Sequence, residues 1–178
     1  MALAQAGVWE TIALEATRES RLWGEALRPE DERETEPVFS PLGEERYALG
    51  LETIYEGYLL HYGRPRLFAP GDADTALLLG DYLYAHGLVR VAEVGTVEAV
   101  SDLAELISLC AQLRADESGG DGETWAASAA LLGRRELSEA RVALRDEGDA
   151  GPLADLARKI AGEDALLQAL AAHERRVR

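Results

Sequence analysis

The sequence predicts an all-α fold, a helical bundle in a single domain spanning residues 1–178. Three observations carry that expectation. Ala and Leu dominate a composition that is 47% hydrophobic but only 6% aromatic, and unbranched side chains lose little rotamer freedom in a helix. Apolar residues recur at spacings of three and four in segment after segment, with no two-residue alternation. Gly, Pro and acidic clusters punctuate those segments at helix-length intervals. A chain of 178 residues supplies an ample core without staples.

In order, residues 8–27 read as the first helix. Trp9, Ile12, Ala13, Ala16, Leu22, Trp23 and Leu27 form its apolar stripe, and Pro29 ends it. Residues 29–43, PEDERETEPVFSPLG, combine three prolines with an acidic run. They read as a linker or extended surface segment, anchored by Val38 and Phe39. Residues 44–62 form the second helix, with Tyr47, Leu51, Ile54, Tyr55, Tyr58, Leu59 and Tyr62 on one broad face. Gly50 and Gly57 lie on a neighbouring face. Each costs about 1 kcal/mol against Ala in a helix, which predicts the close approach of another helix there.

Gly63-Arg64-Pro65 and Ala69-Pro70-Gly71-Asp72 break the chain, and Asp72 or Asp74 caps the third helix, Ala73–Val94. Its centre, ALLLGDYLYAHGL, is nearly all apolar and predicts a buried, central helix. Gly95 and Thr96 punctuate. Residues 97–114 form a fourth helix with Val100, Leu103, Leu106, Ile107 and Cys110 inward. Residues 116–123, DESGGDGE, read as a flexible acidic loop, after which Thr124 caps a fifth helix over 125–132. A sixth covers 137–145. Pro152 then sits at a helix start, and one last helix runs over 153–173 on Leu153, Leu156, Ile160, Leu166, Leu167 and Leu170. Residues 174–178 form a basic tail, favourable at a helix C-terminus and frayed beyond it.

A net charge of −15 repels phosphate backbones and anionic membrane surfaces, so no nucleic-acid partner is expected. No apolar run reaches the roughly 18–20 residues of a membrane span. The start, MALAQAGVWE, lacks the pattern of a signal peptide, and the expected location is cytoplasmic. The single cysteine, Cys110, lies in an apolar pattern and reads as a buried structural thiol.

Chemical motifs are sparse. The sequence holds no G-x-S-x-G, no P-loop and no H-E-x-x-H, and calls for no catalytic residue, cofactor or metal. Glu98, Asp102 and Glu105 have the spacing of one helical face, which would suit shared Mg2+ ligation but reads as a solvated face opposite Leu103 and Ile107. Asp81 sits inside the most apolar stretch. A carboxylate there needs a partner or a polar cavity, either a basic group such as Arg64 or Arg90, or the floor of a ligand site. His61 and His86 read as satisfied core or rim histidines.

One stretch carries a family resemblance. LETIYEGYLLH, residues 51–61, resembles the helix leading into the first aspartate-rich motif of trans-type polyprenyl diphosphate synthases. Gly63-Arg64-Pro65 resembles that family's GRP, and LLLGDYL, residues 77–83, is similar to its ILAGD-x-L. His61, Arg64, Gly80, Asp81 and Leu83 are the residual motif positions. The departures matter more. Tyr62 and Gly63 stand where the family has two aspartates, and the loop that follows them there is missing. The family's diphosphate-contacting Lys falls near Ala69, and no second aspartate-rich motif occurs. Those carboxylates hold the Mg2+ that assists diphosphate departure.

The resemblance therefore implies a shortened isoprenoid-synthase fold without the activity. It implies a small or regulatory subunit of an active prenyl diphosphate synthase, or a homodimer, associating through residues 76–88 and the helix that follows. Two alternatives stand beside it: a helical module that binds an apolar isoprenoid without turnover, and an enzyme of unrelated chemistry using Asp81, His61 or His86.

Overall fold

The computed structural model describes residues 7–177; the first six residues and Arg178, the end of the expected basic tail, lie outside them. Among the described residues the fold is an all-α bundle of nine helices without strands. They are α1 Val8–Glu19, α2 Arg21–Ala26, α3 Ala48–Tyr62, α4 Ala73–Val94, α5 Val97–Ala115, α6 Asp121–Ala130, α7 Ser138–Glu147, α8 Gly151–Ala161 and α9 Glu163–Val177.

The helix at the centre is α3. Every residue from Gly50 to Leu60 is buried, so α3 divides the interior between two apolar cores. The larger gathers Leu51, Ile54, Tyr55, Tyr58 and Leu59 with Phe39 and the inner faces of α5, α6, α8 and α9. The smaller packs Ile12, Ala16, Leu67 and Phe68 against Leu60, Leu79 and Leu83. The expectation that α4 is the central, fully buried helix is corrected. Leu77, Leu78 and Val89 are 52%, 54% and 53% exposed, and only one side of α4 faces inward.

The approach predicted by the α3 glycines is present, and α4 answers it with glycines of its own. A Cβ at Gly57 would lie 2.9 Å from the Gly80 carbonyl oxygen, and one at Gly87 would lie 3.0 Å from that of Gly50. The two backbones meet where neither has a side chain.

Four expected boundaries shift, each for a local reason. Residues 8–27 are two helices, because Ser20 is extended (φ −149°, ψ 136°) and its hydroxyl accepts from the Leu22 N–H to cap α2. Residues 153–173 are likewise two, parted at Gly162, whose φ of +90° suits glycine alone. Gly120 (φ +105°) lets α6 begin at Asp121, inside the expected loop. Thr124, expected as a cap, is buried in that first turn and donates its hydroxyl to the Gly120 carbonyl. Asp72 caps α4, accepting from the Thr75 N–H at 2.8 Å. Finally, residues 29–43 are not a surface linker throughout: Val38, Phe39 and Leu42 are buried anchors, while Glu30–Glu32 stays outside as an exposed turn.

Candidate functional site

The residual motif positions divide into two places. His61 ends α3 with its ring stacked on Tyr84, 5.0 Å between centroids. It fills the space over Gly80, where a Cβ would lie 2.5 Å from Nε2. Asp81 Oδ1 stands 3.2 Å from that nitrogen without hydrogen-bond geometry. Burial lowers the His61 pKa despite the Asp81 charge. Asp81 itself is 64% exposed at its side chain. Its basic neighbour is thus His61 rather than Arg64 or Arg90, and because it lies on the outward side of α4 it is not the floor of a buried cavity. Leu83 is buried in the smaller core.

Arg64 points elsewhere, to Glu34 at 2.8 Å. Its N–H donates to the Arg176 carbonyl at 2.9 Å, and a Cβ at Gly63 would lie 2.8 Å from the same oxygen. The last turn of α9 thus covers the end of α3. Arg176 is buried and paired with Glu34, so this part of the basic tail is an internal clasp rather than a frayed end.

The acidic triplet on α5 is spent on arginines. Arg141 reaches Asp102 at 3.0 Å and Glu105 at 3.1 Å, while Arg135 pairs with Glu98. Asp102 is buried and also accepts the Gly133 N–H at 2.8 Å, which corrects the solvated-face reading at that residue, while Glu105 stays exposed. Among the described residues no group of three His, Cys, Asp or Glu side chains could hold a metal ion. His86 and Arg90 both reach Glu15. Burial alone would raise the Glu15 pKa, but those two partners outweigh it and hold it low. Cys110 is buried, which pushes its thiol up.

Two polar clusters emerge that sequence reasoning missed. In the first, Arg66 is fully buried between Glu52 Oε2 (2.6 Å) and Glu56 Oε2 (3.0 Å). Glu56 Oε1 also accepts the N–H groups of Arg66 and Leu67, at 2.8 and 2.7 Å. Glu52 Oε1 accepts that of Ser40 at 3.3 Å. Trp9 and Tyr55 cover the guanidinium at 4.6 and 5.0 Å. Every carboxylate oxygen has a donor, so the cluster locks the 63–68 connection onto α3.

The second cluster joins α3, α5, α6 and α9. Asp121, at the start of α6, accepts from the Tyr58 hydroxyl and from Arg114, and lies 3.1 Å from His173 Nε2. His173 Nδ1 is 2.9 Å from the Tyr55 hydroxyl. With the proton on Nε2, His173 donates to Asp121 and accepts from Tyr55. Burial would raise the Asp121 pKa, but bonds from His173 and Tyr58 and the nearby charges hold it well below the usual range. Burial pushes both tyrosines up, Tyr58 further because of the Asp121 charge.

Set against family models, curated proteins and solved structures, the chain matches none of them. The likeness to prenyl synthases therefore rests on its three short pieces.

The signal for the first cluster was in the sequence. Glu52 and Glu56 stand one turn apart inside an apolar helix, where each demands a partner. The second left a weaker signal, since Asp121 sits in what read as a loop and His173 at the end of what read as the last helix.

Proposed function

We propose that the chain is a noncatalytic, prenyl-synthase-like subunit that works by association, packing the outer face of α4 and the start of α5 against a second helical subunit. The carrying observation is the exposure of that face. Leu77, Leu78 and Val89 stand out from α4, and Val97 at the start of α5 is 82% exposed. Between Ala76 and Leu88 the only formal charge is Asp81. A row of large apolar side chains on a chain of net charge −15 is the surface a partner would cover.

Two further observations support a noncatalytic reading. Tyr62 and Gly63 replace the family's aspartates, and the last turn of α9 packs over that position. Among the described residues no helix is long and apolar enough to cross a membrane.

The test is native mass spectrometry of the protein purified undenatured from its own source. Expected is a heteromer with a full-length prenyl synthase, or a homo-oligomer that Leu78→Glu dissolves. A bare monomer would overturn the reading. A monomer carrying extra mass of isoprenoid size would put lipid binding in its place.

A further inference from the structure

The side chain of His173 occupies a setting suited to a cation. Three aromatic rings surround it, with centroid separations of 5.3 Å to Phe39, 5.8 Å to Tyr58 and 5.9 Å to Tyr55. Trp125 closes the back, 5.0 Å from Tyr55 and 5.6 Å from both Phe39 and Tyr58. Its indole Nε1 is buried without a partner. The Asp121 carboxylate stands at the other end of the imidazole. Aromatic faces attract a cation within about 6 Å of their centroids, and several faces around one point hold alkylammonium groups.

Two observations mark the imidazole as a replaceable occupant. First, it is brought by α9, whose buried side is mostly small or polar: Ala169, Ala172, His173 and Arg176, with Leu166 the one large apolar residue. The helix leaves α8 at Gly162, which has positive φ and open space around it. Second, a groove of about 430 Å3 between α6 and α9 opens onto Asp121 and His173 from solvent. Leu167 and Leu170 wall it, and Glu123 and Glu174 edge it.

We propose that Phe39, Tyr55, Tyr58 and Trp125, together with Asp121, form a binding site for an organic ammonium cation bearing an apolar substituent, and that His173 is a built-in stand-in which the cation displaces. The ammonium group takes the place of the imidazole, and the substituent lies along Leu167 and Leu170. Arg114 neutralises one carboxylate from the Tyr58 side. Glu123 beside Asp121 leaves the mouth net negative, so a cation rather than an anion is drawn in. No covalent step is involved. The site shares no residue with the α4 face, so it stands or falls separately from the association reading.

His173→Ala empties the cage, and tetramethylammonium is the probe, with sodium chloride at matched ionic strength as control. The folded variant is expected to bind the probe saturably in calorimetry, at least about tenfold tighter than the wild type, in which the imidazole competes. Adding Asp121→Asn should weaken that binding by a similar factor. A folded His173→Ala that shows no saturable binding, or binding that Asp121→Asn leaves unchanged, overturns the proposal. Should His173→Ala fail to fold, the wild type is read by hydrogen exchange. Tetramethylammonium must then speed exchange in the last two turns of α9 relative to sodium, and unchanged exchange overturns the proposal.

Discussion

Arg66 shows how far a single residue organises this protein. It is fully buried and neutralises part of the charge of Glu52 and Glu56, also buried. Removing one member of such a cluster leaves charge uncompensated in a dry interior, which costs about 3–5 kcal/mol. Arg66→Ala is therefore expected to lose about that much stability in urea unfolding, and Glu52→Gln with Glu56→Gln in the same chain should restore part of it. A loss below about 1 kcal/mol would mean that water reaches the cluster. The two glutamates were visible in the sequence as charges on a buried helix. Their partner was not, because Arg66 lies across a Gly/Pro break whose path no periodicity fixes. The same limit hid His173 and Asp121, which are 52 residues apart and meet only because α6 starts at Asp121, inside the expected loop, with α9 packed along it.

At the level of elements, the helical segments were legible and their ranking was not. Apolar periodicity found the bundle, but it favoured α4 as the centre because the stretch 76–88 carries a single formal charge. The centre is α3, whose two glutamates read as a polar side although buried Arg66 pairs with both of them. Glycine there is a spacing device. Ala in place of Gly gains about 1 kcal/mol in an open helix. At Gly57 the added Cβ would lie 2.9 Å from the Gly80 carbonyl oxygen and 3.1 Å from the Tyr84 ring. Forcing α3 and α4 apart costs about 1–3 kcal/mol, so Gly57→Ala should lower the thermal midpoint despite its better propensity. A raised midpoint would show that the contact relaxes freely. The breaks at Ser20 and Gly162 escaped the periodicity reading because their flanking stripes stay in phase.

Over the whole molecule, the excess of acidic residues and the sparsely charged α4 face pull in opposite directions. A net charge of −15 makes two copies repel at long range, whereas Leu77, Leu78, Val89 and Val97 gain by leaving water. Raising the ionic strength from about 0.01 M to about 0.15 M shortens the Debye length from about 30 Å to about 8 Å. The repulsion is thereby screened while the apolar contact is untouched. Self-association through α4 should therefore tighten with salt in sedimentation equilibrium, the reverse of an interface built on ion pairs. Leu78→Glu places a charge at a position already 54% exposed, so the variant should keep its helicity and unfolding midpoint while becoming monomeric at every salt concentration. A wild-type oligomer that loosens with salt, or that survives Leu78→Glu, would move the contact off α4 and onto the charged surface.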